Sequence, residues 1–410
     1  MKGDFSRLTF EPSKRYTAVL MQQGRVTLDS DWNEQVAIRE HVERIRFEDV
    51  VGGYGVPHGE GFAVHGDRNG ALALSAGRIY AGGLLCELIE STPLERLVRR
   101  PLAPRPGRTD LVFLDAWERH VTALDDPDLL EPALGGADTT TRLQVVWKID
   151  LVENVGDRSS AEGSAALPKK GTAAMRVATP DGYSGSENHL YRVEIHDGSA
   201  RGHATFKWSR DNGSVVFAVE DFVQPSVVRV TLGLPRTPQK LAVGDWVEVS
   251  SDESELAGQV GTLARVEELS EDGRSVLLDR DVSPHRNETH ARLRRWDQRN
   301  GPAVPVSSDW IPLEAGVQVR FSGSDFQPGD YWTIPARPAD VCIEWPAEEP
   351  PQGIEHQLCP LALVQWKQAG ETCTPVVRDC RRAFLPLTEI HTELARLKSE
   401  IAELRRQTPP

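Results

Sequence analysis

Apolar and polar side chains alternate most regularly between residues 186 and 219, in SENHLYRVEIHDGSARGHATFKWSRDNGSVVFAV. Tyr191, Val193 and Ile195 alternate with Arg192, Glu194 and His196, a period of two that predicts a strand with one dry face and one charged face. Asp197-Gly198 tolerates positive φ and predicts a turn, after which Ala204, Phe206 and Trp208 alternate with Thr205, Lys207 and Ser209. Asn212-Gly213 is a second hairpin signal, and Val215, Phe217 and Val219 continue the apolar face. The prediction is an antiparallel meander. Its charged face, with Arg192, Glu194, Lys207, Arg210 and Asp211, is expected to be solvated or covered at an interface.

Patterning elsewhere predicts a mainly β, multi-domain chain: an antiparallel sandwich or barrel body with one N-terminal helix and a C-terminal coiled-coil helix. Residues 1–50 read as an extended arm to about residue 28, then a helix over about 31–49 carrying Val36, Ile38, Val42, Ile45 and Phe47. Asp31 and Glu34 have capping-box spacing at its start, and Gly52-Gly53 supplies the stop. The arm either packs as a first strand of the next domain or docks on another subunit. Residues 51–153 read as a first β domain and 154–180, rich in Gly, Ser and Ala with Pro168, Lys169 and Lys170, as a loop. Residues 181–224 with 284–383 read as a central β domain. The runs VVRVTLGL, KLAVGDWVEVSSD, GQVGTLARVEEL and RSVLLD predict a small barrel inserted at 225–283.

Residues 384–410 change period. Leu387, Ile390, Leu394, Leu397, Ile401 and Leu404 are spaced 3, 4, 3, 4, 3, with Leu387, Leu394 and Ile401 at a and Ile390, Leu397 and Leu404 at d, before Pro409-Pro410. A two-in-seven seam suits self-association better than the broad stripe of a helix packed on its own domain. These six residues are the predicted oligomer contact.

Composition narrows the function. The chain of 410 residues carries a net charge of −14, which repels a phosphate backbone and argues against nucleic-acid binding. No apolar run approaches the roughly 18 residues that cross a bilayer, and none has signal-peptide character, so no membrane insertion is expected. Five cysteines, an odd number in a long chain, point to a reducing compartment.

No catalytic or cofactor motif emerges. Gly52-Gly53-Tyr54-Gly55 lacks the lysine of a phosphate loop, and Gly182-Tyr183-Ser184-Gly185-Ser186 lacks the last glycine of a nucleophile elbow. His356, Cys359, Cys373 and Cys380 are zinc-type ligands without the close pairing of structural sites. Asp115, Glu118, Glu187 and Glu194, near Trp117, Trp147 and Trp208, have the residue types of a glycosidase, although acidic side chains on a wet strand face are ordinary. Arg292, Arg294, Arg295 and Arg299 around Trp296 are expected to pair with carboxylates, and the acidic turn Asp125-Asp126-Pro127-Asp128 lacks the spacing of a calcium loop.

Several separate segments, ENHLYRVEIHDG, ATFKWSRDNGS, MKGDFSRLTF, VLMQQGRVTLDSDWNEQ and GDYWTIPAR, resemble those of an uncharacterised family encoded in gene clusters for phage-tail-like contractile injection particles. The resemblance implies a non-enzymatic structural subunit without cofactor, at the baseplate or around the spike. It implies partners among the other baseplate or spike proteins, and a homo-oligomer, a trimer if it matches a threefold spike. Such a chain is made in the cytoplasm and built into a particle that is released or acts outside the cell. The alternatives are a surface-binding module using exposed aromatic rings of the inserted barrel on a glycan or receptor, and a glycan hydrolase.

Overall fold

The structure, a computed structural model, describes residues 1–57, 59–169, 171–231, 241–299, 301–338, 345, 348–369 and 372–407. Lys170, the end of the VVRVTLGL run, Pro409-Pro410 and the side chain of Leu387 lie outside that description. The chain is mainly β, with three α-helices among the described residues: α1 (Asp29–Val51), the short α2 (Asp252–Leu256) and α3 (Leu387–Gln407). It divides into two compact units. The first comprises residues 1–38, 118–144 and 169–355, the second residues 39–117, 145–168 and 356–410.

In the first unit, strands His189–Ile195 and Thr205–Ser209 pair antiparallel as the alternation predicts, with Glu194 directly opposite Lys207 and Val193 opposite Trp208. Strand Tyr331–Ala336, the expected GDYWTIPAR segment, pairs on the other side, and Val304–Pro305 closes the far edge. A second sheet, of Ala174–Ala178, Gln318–Ser322 and Ile311–Pro312, shares an apolar core with the first. Phe206 and Phe321 meet at 5.0 Å there and the fully buried Trp332 stands edge-on to Phe321 at 5.7 Å. Rings packed this way dominate core energetics.

The meander does not continue. Asn212 and Gly213 both adopt positive φ, 49° and 64°, and do turn the chain. The next strand, Val216–Gln224, pairs instead with Val227–Val230 and Arg292–Trp296. With Trp246–Ser250, Thr262–Leu269 and Ser275–Leu278 these make a closed six-stranded barrel. The barrel is therefore wider than the 225–283 segment. The apolar run Val215, Phe217 and Phe222 fits the barrel core as well as it would have fitted the meander, so the pattern by itself does not select the sheet.

In the second unit, Gln357–Ala369 pairs with Thr109–Val121 and Thr372–Asp379, and Ala383–Phe384 pairs parallel with Tyr54–Pro57. These late strands join the sheets formed by residues 54–152 rather than the sheets that follow residue 181. The core of Phe62, Leu74, Ile79, Leu114, Leu361 and Trp366 is shared between them. The C-terminal half of α1 contributes Phe47, 4.7 Å from Tyr80 and 6.4 Å from Phe384. Gly52, at φ 98°, ends α1 by donating to Glu48 O. The helix starts two residues earlier than the spacing of Asp31 and Glu34 suggests: Asp29 accepts from Ser6, Asp31 accepts from Leu28 N, and Glu34 accepts from Thr9 Oγ1.

Candidate functional site

The charged face of the 189–209 hairpin is not wet. Period-two geometry puts Arg192, Glu194, His196, Lys207, Tyr331 and Thr333 on one face of the sheet, and all are buried. Of the two expected outcomes, a solvated face or a covered one, the structure has the covered one: Glu248 and Trp296 of the barrel, together with Met1 and Lys2, lie over it. The charged face is therefore buried within the unit.

Lys207 Nζ lies 2.5 Å from Glu248 Oε1, 3.3 Å from Glu194 Oε1 and 4.6 Å from the Trp296 ring centroid. Glu194 also accepts from Arg192 Nε at 2.6 Å and pairs with Lys2 at 3.1 Å. Glu248 accepts from Trp296 Nε1 at 3.0 Å and from Gly261 N at 3.2 Å. Arg192 stacks 3.7 Å over Tyr331, whose hydroxyl accepts from the Met1 amino group at 2.8 Å. Burial alone would push the Glu248 carboxyl up, but Lys207 first and Lys2 next outweigh it and hold it at about 2. Glu194 behaves likewise: burial opposes ionisation, and Lys2, Arg192 and Lys207 together hold it well below the ordinary carboxylate range. Both carboxylates are locked as anions.

His196 stands at the rim of this network, with Nδ1 3.8 Å from Glu248 Oε1 and without a hydrogen-bond partner. Burial first, then the Lys207 charge, lowers its pKa, so the imidazole is neutral near pH 7. It lines a cleft of about 540 Å³ with Asp197, Gln259, Thr262 and Arg280. Thr262 Oγ1 is already bonded to His285 Nε2 at 2.9 Å, and the cleft lining holds no Phe, Tyr or Trp among the described residues. Trp246, the one aromatic residue of segment 225–283, is buried in place of the exposed ring expected for glycan stacking.

The remaining sequence candidates are dispersed. Asp115 pairs with Arg99 at 2.7 Å and with His356 Nδ1 at 2.7 Å, beneath the Trp117 ring. Cys359 belongs to the core around Leu361, Cys380 to a separate small cluster with Leu363, and the described cysteines are free thiols. Among the described residues no three His, Cys, Asp or Glu side chains gather as a metal-holding group. Arginines around Trp296 pair inside the unit as expected: Arg292 with Asp125 and Asp252, Arg295 with Asp211 and Asp297, while Arg294 donates to the Gly213 carbonyl. Asp125 is thus an ion-pair partner, and Asp126 caps the turn by accepting from Asp128 N.

The predicted oligomer contact presents itself differently. Along α3, Ile390, Leu394, Leu397, Ile401 and Leu404 are 37% to 63% exposed, and they form one seam. The side chain of Leu387 lies outside the described residues. Arg396, on the flank of the seam, bonds Glu393 and Glu400 one turn before and after it. No helix of the described residues is long and apolar enough to cross a membrane.

Reading the sequence alone misses Lys2, Glu248 and Trp296 as partners of the hairpin. The one available signal is the register through Asp197-Gly198, which sets Glu194 opposite Lys207 and marks a charge pair worth covering.

No curated protein and no solved structure matches the chain. A model described as a family of unknown function, DUF6519, matches residues 1–179 and 164–363, and the chain belongs to that family.

Proposed function

We propose that the protein is a structural subunit of a phage-tail-like contractile injection particle, associated with the baseplate or spike, that works as a homo-oligomer and by shape without catalysis. The observation that carries this reading is the exposed a/d seam of α3. Covering a Leu or Ile that is about half exposed returns roughly 1 kcal/mol, so the five described seam residues offer on the order of 5 kcal/mol per helix. The segments quoted above supply the particle context, and a threefold spike favours the trimer. The locked ion network supports the reading from another side, since fully paired buried charges rigidify a body and leave neither carboxylate free to act as an acid or base.

Light scattering coupled to gel filtration tests it on the full chain. The expected result is a defined multimer that Leu394→Asp with Ile401→Asp disperses to monomer. A monomer at every concentration removes the self-association, and particles purified from source cells that lack the chain remove the assignment to the particle.

A further inference from the structure

We infer that α3 joins copies of this chain in parallel and in register, the direction being chosen by the charges that flank its seam. This rests on the self-association proposed above and adds the orientation of the partner, a second copy of the same helix.

Charge complementarity sets the direction. With Leu394 and Ile401 at a and Leu397 and Leu404 at d, the g positions hold Glu393 and Glu400, and the e positions hold His391, Lys398 and Arg405. In a parallel pair each g side chain faces the e position of the next heptad on the neighbour. By sequence position that sets Glu393 against Lys398 and Glu400 against Arg405, opposite charges at both places, the side chain of Arg405 lying outside the described residues. An antiparallel pair sets g against g and e against e, so glutamates meet glutamates and the basic residues meet one another. One sequence thus rewards one direction and penalises the other.

The helix itself arranges these charges. Arg396, at c, bonds Glu393 through Nε at 3.0 Å and Glu400 through Nη1 at 2.5 Å. Both g carboxylates are thereby held along one flank of the seam, with less rotamer freedom left to lose when a partner arrives. Glu400 meets Arg396 through Oε1, which leaves its second oxygen to face a basic residue of another copy. The exposed seam supplies the affinity and the flanks supply the direction.

The experiment uses the full chain in two arms. Glu393→Lys with Glu400→Lys makes every flank basic and is expected to weaken association by about 30-fold, four exposed charge contacts of modest strength being reversed per helix pair. Under antiparallel pairing the same change only replaces like-charge contacts by like-charge contacts, and unchanged association overturns the inference. In the second arm Leu404→Cys is oxidised beside the wild-type chain as a control for the native thiols. Self-cross-linking through position 404 is expected, since parallel helices bring it against its own copy. Cross-linking only in a mixture of Ile390→Cys and Ile401→Cys chains, the d and a positions that antiparallel packing brings together, overturns the inference while leaving self-association standing. A wild-type chain that is monomeric throughout overturns both.

Discussion

Lys207→Met removes the charge shared by the two buried carboxylates while nearly keeping side-chain length. Its consequences follow from the contacts each carboxylate retains. Glu194 keeps Arg192 at 2.6 Å and Lys2 at 3.1 Å and stays compensated. Glu248 keeps only neutral donors at hydrogen-bond distance, Trp296 Nε1 and Gly261 N, beside a neutral His196. Breaking a buried pair this way costs about 3–5 kcal/mol, because the remaining charge is left buried with no cation in contact. Glu248→Gln in the Lys207→Met background removes that charge, and the double variant should recover a large part of the loss.

The pH dependence carries its own sign. The Glu248 carboxyl is held at about 2 in the fold against 4.5 for the free side chain, so its contribution is present above pH 4.5 and is lost as pH falls toward 2. Without Lys207 the folded carboxyl rises, and the gap between variant and wild type should narrow as the medium is acidified. Urea unfolding followed by tryptophan fluorescence, at neutral and acid pH, measures both. A loss below about 1 kcal/mol for Lys207→Met at neutral pH, or a double variant whose cost equals the sum of the singles, refutes the reasoning.

Two further outcomes test the packing. Gly261→Ala would bring its Cβ within 2.6 Å of both Val249 O and Glu248 Cγ, and should lower the urea midpoint by an amount worth about 1–3 kcal/mol with an unchanged slope; an unchanged midpoint would show that the backbone there yields freely. Cys86 and Cys359 are almost fully buried, and burial pushes the Cys86 thiol up to about 12 and Cys359 well above its ordinary value. A thiol reagent at pH 8 should modify the half-buried Cys373 before either, and should reach Cys86 and Cys359 only on unfolding; rapid labelling of both in the native chain contradicts their placement.

Local patterns were readable. Alternation from Tyr191 to Ile195 and from Phe206 to Trp208 put the strands and their apolar face where the structure has them, and the heptad spacing from Leu387 to Leu404 put a helix within 384–410, where α3 runs over Leu387–Gln407. Non-local choices were not. Asn212-Gly213 reports that the chain turns, and nothing in its two residues says whether the next strand rejoins the same sheet or opens a barrel. Alternating charge likewise looks the same whether water or a protein layer covers it. What decides the matter here is Glu248, 41 residues beyond Lys207, and Lys2, near the start of the chain. The strand Gln357–Ala369 shows the same limit, since its apolar run fits either of two sheets and only the finished fold selects the one with Thr109–Val121.

The shared lysine at 207 also constrains how such a chain can diverge. A mutation that neutralises Lys207 leaves Glu248 without a cation in contact, and one that neutralises Glu194 takes from Lys2 and Arg192 their shared carboxylate, so changes at positions 2, 192, 194, 207 and 248 are expected to be coupled. Across the family the five should be inherited together, exchanged together for apolar residues, or reversed in sign together, while the exposed loops around them vary one residue at a time.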